Sequence, residues 1–265
     1  MKWLHRLAVI AGALVALWLI AVIGLGFALE GRTRRGVADR LAESLQSDAA
    51  IADGNLALMT GVLVLDDLTV RREDGIGKLS LHVAEIRCDL PPLGAALLDR
   101  QCRDLIVRGT QLDVSTLALF HLHRPKRPPL HVRHVVIDDA QLALAATALA
   151  PELGRVAIHI DHAEAGDTIF KTPLSFLFTL RSLHATITLP AGGNLDIAYD
   201  AGTLHLTGAL FGTSPLELPL TLPDTDPTDD ASAEVGKLVG FGRALGERLV
   251  AQRAADWLKS KLPLP

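Results

Sequence analysis

Histidines are the residues of this sequence whose number and spacing first raise the question of metal or acid–base chemistry. The chain contains ten of them, and the densest group is formed by His121, His123, His131 and His134. Zinc-binding sequences place Cys and His ligands in closely spaced pairs, whereas this group surrounds the basic, proline-rich stretch 124–129. The pattern indicates a solvated loop, and the sequence predicts no metal site here.

A second group of ionisable residues, His159, Asp161, His162 and Glu164, lies within a run that alternates polar and apolar positions. Such alternation places His159 and Asp161 on the hydrated face of a β-strand, an ordinary position for polar side chains. The chain also lacks the G-x-S-x-G nucleophile elbow, a phosphate-binding loop, a dinucleotide fingerprint and the His-Glu-x-x-His zinc motif. We therefore expect no catalytic residues, no cofactor and no enzymatic activity.

Alternating apolar and polar residues run through most of the chain and determine its predicted fold. Between residues 53 and 222 the apolar positions recur with a period of two, which is typical of strands with one apolar and one hydrated face. We count about ten to twelve such runs, separated by short turn sequences. The sequence therefore predicts a mostly β domain over 53–222, built as an antiparallel sheet.

Irregularities interrupt this alternation at several places. The phase of the apolar positions slips by one residue between Val83 and Ala84, and again at Asp66–Asp67, Gly109–Thr110 and Asp138–Asp139. Asp and Gly tolerate the backbone conformations of bulges and turns, and a β-bulge keeps both halves of a strand facing the same side. We interpret the acidic pairs as bulges and not as metal-binding or acid–base pairs.

Residues 103–114 and 133–144 carry the same pattern. Aligned with an offset of thirty residues, the two segments share an Arg, a Gln and a Leu, and elsewhere they exchange one aliphatic residue for another. This repeat suggests that one strand–connection–strand unit is used more than once.

The composition narrows the range of functions. The net charge of −4 gives no indication of nucleic-acid binding, and no basic segment is interleaved with aromatic residues. Apolar residues make up 49% of the chain but aromatic residues only 4%, so the interior must be built from Leu, Val, Ile and Ala. Such an interior resembles alkyl chains more than an aromatic ligand pocket.

The two cysteines, Cys88 and Cys102, are too few for a disulfide framework. They flank the Pro91–Pro92 connection between two neighbouring predicted strands, so they can pair in an oxidising compartment. The alternative is a pair of small, buried apolar side chains.

An uncharged segment, residues 7–29, follows the N-terminal stretch 1–6, which carries Lys2 and Arg6. As a helix it spans about 35 Å, enough to cross a hydrocarbon core of about 30 Å. We predict a single membrane-spanning helix; the alternative is a signal peptide cleaved near Gly26–Ala28. Positive charges on both sides of the segment leave its orientation open.

An amphipathic helix is predicted in the connector 30–52. There Val37, Leu41 and Leu45 recur at helical spacing, which predicts a short helix over 36–46 that leads from the membrane to the sheet.

A second amphipathic helix is predicted at the C terminus, in segment 232–265, after an acidic, proline-bearing linker at 223–231. Its apolar residues fall on one broad face and its basic residues lie mainly outside that face. A basic amphipathic helix that carries Trp257 suits a membrane surface. The alternative is a lid packed on the end of the sheet.

The order of these elements resembles the start of the AsmA-like proteins of Gram-negative bacteria. The resemblance rests on the membrane helix, the amphipathic helix, and the stretches Gly61–Val70, Gly77–Leu90 and Asp104–Val114, and it covers about the first half of the chain. It implies an inner-membrane protein with residues 1–6 in the cytoplasm. The periplasmic part would be a curled β-sheet with an apolar groove, related to chorein-type proteins that move phospholipids between membranes.

Two features depart from that family. The Asn-x-Tyr often found after its membrane helix is absent at Glu30–Thr33, and the chain is shorter than the usual members. About eleven strands spaced about 4.8 Å apart make a groove only about 50 Å long, too short to bridge a periplasm alone. The chain is then a segment of a bridge made of several proteins, a loading module at the inner membrane, or a scaffold.

We therefore expect a single-pass inner-membrane protein with most of its chain in the periplasm. Its expected function is that of a lipid-binding or lipid-transfer accessory protein in envelope lipid transport or outer-membrane biogenesis, with membrane phospholipids and envelope proteins as partners. The alternative is a scaffold or assembly factor of an envelope complex that binds no lipid. The residues expected to face acyl chains are Leu81, Val83, Leu105, Val107, Val135, Ile137, Ile158, Phe176 and Ile187.

Overall fold

A computed structural model of the chain gives the fold. It describes residues 30–57, 60–74, 77–91, 101–115, 118, 129–145, 155–172, 174–188, 193–208, 212–224 and 231–261. Within these ranges ten strands form one mixed sheet that is not closed, so the mostly β prediction is confirmed. The predicted membrane helix, residues 7–29, lies outside the described residues.

The strands are β1 (Asp48–Ala57), β2 (Val62–Asp74), β3 (Gly77–Asp89), β4 (Gln101–Ser115), β5 (Leu130–Ala145), β6 (Arg155–Phe170), β7 (Leu180–Thr188), β8 (Asn194–Asp200), β9 (Thr203–Gly208) and β10 (Gly212–Pro219). Helix α1 covers residues 30–45, and helix α2 runs from Ala231 to Lys261. A short 3₁₀ helix, Ser175–Thr179, lies between β6 and β7.

Each strand pairs with its neighbours in sequence, from β1 at one edge to β10 at the other. The pairs are antiparallel except that of β4 and β5, which is parallel. The prediction of an antiparallel sheet is therefore wrong for this pair. Parallel neighbours need a connection of about a dozen residues or more, and the stretch 116–129 between these strands is long enough.

The parallel pair explains the sequence repeat. Its register joins each residue of β4 to the residue of β5 that is thirty positions later, as for Leu105 with Val135 and Gln111 with Gln141. The two copies of the repeat therefore lie side by side, with equivalent side chains adjacent to each other. Each copy of the repeat is thus a single strand, and not the predicted strand–connection–strand unit.

A row of positions skipped by the strand pairing crosses the sheet from β1 to β6, and the register is the same on both sides of it. The pairing passes over Asp67, Ala84, Gly109 and Asp139, which confirms the predicted slips there. The backbone φ is positive at Asp67 (53°), Gly109 (61°) and Asp139 (53°), a conformation that Gly and Asp adopt more readily than most residues. The skips keep the apolar side chains of both strand halves on one face. The row comprises Ala52, Asp67, Ala84, Gly109, Asp139 and Asp161.

One side of the sheet, which carries Leu65, Val135, Ile158 and Leu204, is aliphatic, and we call it the apolar face. A first cluster of buried side chains on it includes Leu65 and Val135, and Val37, Leu41 and Leu45 of α1 belong to the same packed group. The second cluster consists of Tyr199, Leu204, Leu206, Leu218 and Leu220, with Phe241 and Leu245 of α2 packed against it. Each end of the sheet thus has its own core and its own helix.

The sheet begins at Asp48 and not at the predicted boundary, residue 53, so Asp53–Asn55 lie inside β1. The glycine in this sequence has a packing reason. A Cβ on Gly54 would lie 3.1 Å from the side chain of Leu65 on β2, so the close approach of two strands favours glycine here.

The alternating apolar residues from Leu174 to Phe178 form the 3₁₀ helix and not the predicted strand. The backbone N–H of Leu174 donates to Thr172 Oγ1 at 3.1 Å, and that of Thr172 donates to Ser175 Oγ at 3.1 Å. Such local side-chain bonds compete with a strand ladder and turn the chain. Phe176, one of the predicted lipid-facing residues, therefore lies off the sheet and packs against the first cluster.

Helices are present at both predicted places, α1 within the connector 30–52 and α2 after the acidic linker, but α2 as a whole is only weakly amphipathic. Their described bounds differ from the predicted ones by a single residue at the start of α2 and by six residues at the start of α1. Over the ranges that the structure describes, neither helix is apolar enough over a sufficient length to cross a membrane.

Candidate functional site

The predicted lipid-facing side chains form rows that cross the strands of the apolar face at right angles. Cross-strand neighbours on one face lie within contact distance of each other, so each row is a continuous aliphatic strip. The first row joins Leu105, Val135 and Ala165. The second joins Val107, Ile137, Ala163 and Leu183. The third joins Leu81, Leu112, Leu142, Ile158, Ile187 and Leu195.

These rows differ in how far they are covered. Val83 and Val135 are 4% and 2% exposed and belong to the first cluster. The remaining predicted residues on strands are partly exposed, namely Leu81, Leu105, Val107, Ile137, Ile158 and Ile187. Neither cluster of the described residues includes Ile158 or Ile187, so the middle of the third row lies between the two cores.

Helix α1 covers the β1–β2 end of the apolar face. Arg72 is buried on this face, and its guanidinium donates hydrogen bonds to the carbonyl oxygens of Leu45, at 2.7 Å, and Ala118, at 3.4 Å. Arg34 of α1 donates to the carbonyl oxygen of Ala52 at 3.2 Å. A buried charge is tolerated where hydrogen bonds replace its hydration, so these bonds fix α1 on the sheet.

Helix α2 is attached to the segment between β6 and β7 through a buried carboxylate. Glu234, in its first turn, is 0% exposed. Its carboxylate accepts hydrogen bonds from the hydroxyl of Thr172 at 2.5 Å and from that of Ser175 at 3.1 and 3.2 Å. Further along α2, Phe241 and Leu245 pack against the second cluster. The sequence left two roles open for this helix, binding to a membrane surface and covering the end of the sheet as a lid. These contacts favour the lid.

The opposite side of the sheet, the polar face, carries pairs of histidines and carboxylates. His162 Nδ1 lies 2.7 Å from an oxygen of Asp138, and its Nε2 lies 3.2 Å from an oxygen of Glu164. His134 is similarly 3.3 Å from Asp104. The hydrogen bond to Asp138 raises the pKa of His162 above its ordinary value, and partial burial opposes this effect only in part. These contacts suit ion pairs on a hydrated surface.

The structure describes only some of the histidines that the sequence analysis considered for metal binding. His131 and His134 lie on β5 and the group His159–Glu164 lies on β6, whereas His121 and His123 lie outside the described residues. Among the residues that the structure describes, no three His, Cys, Asp or Glu side chains are arranged to hold a metal ion.

A shallow depression of about 600 Å³ lies on the polar face across β3 to β7. Polar and apolar residues line it, namely Ser80, His82, Gln111, Asp113, Gln141, His159 and Thr188 together with Leu112, Leu142, Ala143, Ala157 and Ile158. Hydroxyl, imidazole and amide groups prefer water or a hydrogen-bonding partner to hydrocarbon. The polar side chains of the lining therefore make the aliphatic rows of the apolar face the better candidate for a lipid site.

Cys88 and Cys102 form a disulfide that joins β3 to β4, with their Cα atoms 5.8 Å apart. Both residues belong to the first cluster. The cross-link therefore ties together two neighbouring strands of the apolar face.

Two features of the site escaped the sequence analysis, although each left a signal. Arg72 follows Leu68 and Val70 in the apolar phase of β2, which marks a buried charge. Glu234 lies at helical spacing from Phe241 and therefore on the apolar side of α2. A charged residue at an apolar position indicates a partner within the fold.

Comparison with known proteins does not extend the resemblance noted in the sequence. The chain matches no family model and no curated protein.

Proposed function

We propose that this protein binds acyl chains of membrane phospholipids along the apolar face, as a lipid-binding or lipid-transfer accessory protein of a Gram-negative envelope. The observation that carries the proposal is the third row, which continues across neighbouring strands and stays partly exposed at Ile158 and Ile187. Aliphatic side chains in such a position offer hydrocarbon contact without a polar group that needs a partner.

The dimensions of the third row suit one acyl chain. From Leu112 on β4 to Leu195 on β8 it crosses five strands, and a spacing of about 4.8 Å between strands gives a length of about 19 Å. Half of a hydrocarbon core of about 30 Å is about 15 Å, the thickness that one chain spans in a bilayer. Each methylene transferred from water contributes about 0.8 kcal/mol, so contact along the row can hold the chain while the headgroup stays in water.

The proposed setting is the inner membrane, with residues 7–29 as a single-pass anchor and most of the chain in the periplasm. The disulfide between Cys88 and Cys102 supports an oxidising compartment such as the periplasm. The pattern shared with AsmA-like proteins supports the same setting. Because ten strands are too few to span a periplasm, other envelope proteins would continue the path, and phospholipids in the membrane would supply the ligand.

A scaffold that binds no lipid is the second candidate function. The burial of Val83 and Val135 and the two helices packed against the sheet favour it, since these are also the features of a sealed core. The two functions differ in whether hydrocarbon contacts the third row in the folded protein.

Site-specific photocrosslinking of the full chain in phospholipid membranes tests the proposal. A benzophenone amino acid replaces Ile158 on the apolar face, and in a matched protein it replaces Ala157, the next residue, which is exposed on the opposite face. The proposal predicts a phospholipid adduct at position 158, detected by mass spectrometry, and little or none at position 157. Equal yields at the two positions, or none at position 158 in a folded protein, would favour the scaffold.

A further inference from the structure

Helix α2 and the end of the third row pack against the same cluster. Phe241 and Leu245 pack on the second cluster, and Leu195 and Ile197 of β8 pack against the same cluster. Leu195 is also the last residue of the third row. An acyl chain extending along this row would therefore meet apolar surface that α2 already contacts.

The attachment of α2 is concentrated at its start. Besides the buried carboxylate of Glu234, the ammonium of Lys237 donates a hydrogen bond to the carbonyl oxygen of Asp224 at 3.0 Å. Farther along, Val239 is 43% exposed, and Phe241 and Leu245 are only partly buried. The helix is thus anchored by polar contacts in its first turns and lies lightly on the sheet over the next two turns.

Glycines weaken the same part of the helix. Gly236, Gly240, Gly242 and Gly246 all lie in α2, and a Cβ added at any of them would meet no atom within 4 Å. Close packing therefore does not explain these glycines. Because glycine disfavours a helix relative to alanine, this segment gains little stability of its own and depends on its contacts with the sheet.

We infer that α2 is a displaceable cover of the apolar face. When docked through Glu234 it shields the second cluster, and when displaced it opens the Leu195 end of the third row to an acyl chain. The inference rests on the proposed function, because it names the regulation of the same face. Helix and lipid compete for one surface, so weakening the attachment of the helix must favour the lipid.

The test uses the full chain in vesicles of phosphatidylethanolamine and phosphatidylglycerol, with the benzophenone amino acid at Leu195 or at Ile158. Each protein is compared with the same protein carrying Glu234→Gln, which keeps the shape of the side chain and removes its charge. Glu247→Gln, on an exposed part of the same helix, is the matched control. Hydrogen exchange of the α2 amides reports whether the helix is released.

The expected result is a phospholipid adduct at position 195 that forms faster in Glu234→Gln than in the unsubstituted chain, on the order of tenfold for the loss of hydrogen bonds to a charged group. Glu247→Gln should leave that rate unchanged. The α2 amides should exchange faster in Glu234→Gln while the strand amides keep their protection. Ser175→Ala, which removes one donor to the carboxylate, should act in the same direction and replaces Glu234→Gln if the latter does not fold.

Two results would overturn the inference and leave the proposed function standing. In the first, adducts form at position 158, the substitution releases α2, and the rate at position 195 stays the same. In the second, adducts form at position 158 while the α2 amides stay as protected in Glu234→Gln and Ser175→Ala as in the unsubstituted chain. If no variant gives an adduct at either position, the proposed function fails and the role of α2 in lipid binding fails with it.

Discussion

Leu105 of β4 lies directly beside Val135 of β5 in parallel register, at equivalent positions of the two repeats. Both side chains are on the apolar face, but their surroundings differ. Val135 is 2% exposed, whereas Leu105 is only partly buried. The two neighbouring positions therefore differ in exposure: Val135 is buried, and Leu105 is partly open to solvent.

Alanine substitutions at these two positions should have unequal effects on stability. Val135→Ala removes two methyl groups from a closely packed site, and we expect it to lower the free energy of unfolding by about 2 kcal/mol. Leu105→Ala removes more atoms but leaves a position that water already reaches, and we expect a loss of about 1 kcal/mol. Urea titration followed by far-ultraviolet circular dichroism measures both. A greater loss for Leu105→Ala would mean that the face is sealed here, as the scaffold function requires.

Most strands and their apolar faces could be predicted from the sequence, because the alternation of apolar and polar side chains is visible within each strand alone. The phase slips near Asp67, Ala84, Gly109 and Asp139 were also predictable, since the apolar positions on either side must reach the same core. The parallel pairing of β4 and β5 was not predictable in this way. Alternation does not state the direction of the neighbouring strand, although the repeat offset of thirty residues equals the register that was found.

The site was predicted less completely than the fold. Alternation placed Ile158 and Ile187 on the apolar face but carries no information on how far helices cover them, because coverage depends on contacts distant in sequence. Phe176 was assigned to a strand because its apolar neighbours alternate. The side chains of Thr172 and Ser175, which bind backbone N–H groups nearby, override that pattern.

Glycine-to-alanine substitutions should lower the stability of the fold in the sheet and raise it in α2. At Gly109, φ is +61° and a Cβ would lie 2.8 Å from the Cβ of Ala84, so Gly109→Ala should destabilise the fold by about 1 to 3 kcal/mol. At Gly240 a Cβ meets nothing within 4 Å, so Gly240→Ala should stabilise the helix by about 0.5 to 1 kcal/mol. Thermal unfolding of the two variants checks both signs. A destabilising Gly240→Ala would show that this side of α2 contacts another surface.

The contacts of His162 with Asp138 and Glu164 should make the stability of the fold depend on pH. Asp138 and Glu164 contact this imidazole, while Arg108 binds Asp138 and His134 lies near Glu164. The hydrogen bond to Asp138 is the main cause of the raised pKa of His162, so the folded state binds the proton more tightly than the unfolded chain does. The resulting stabilisation is complete below pH 6.5, the ordinary pKa, and it is lost as the pH rises through the higher folded-state pKa.

His162→Gln should remove this part of the pH dependence. Because the pair is partly exposed to solvent, we expect the effect to stay below about 1 kcal/mol. Urea titrations at intervals from pH 5.5 to pH 8.5, about the range over which a histidine titrates, compare the unsubstituted chain with His162→Gln. His205→Gln, on strand β9 and beside Glu217, controls for the loss of an imidazole from the polar face. If stability of the unsubstituted chain instead rises across this range relative to His162→Gln, the sign of the pKa shift is wrong.

The disulfide between Cys88 and Cys102 should contribute to stability when the protein is made in an oxidising compartment. The two cysteines are fourteen residues apart, and closing a loop of about 15 residues stabilises a fold by about 3 kcal/mol in the chain-entropy model. The double substitution Cys88→Ala and Cys102→Ala should lower the free energy of unfolding by about that amount, and a reductant should do the same to the unsubstituted chain but not to the variant. The intact mass of protein purified from the periplasm should be lower than the reduced mass by two hydrogen atoms. Two free thiols in that protein would show that the bond does not form, and the support that the disulfide gives to a periplasmic location would be lost.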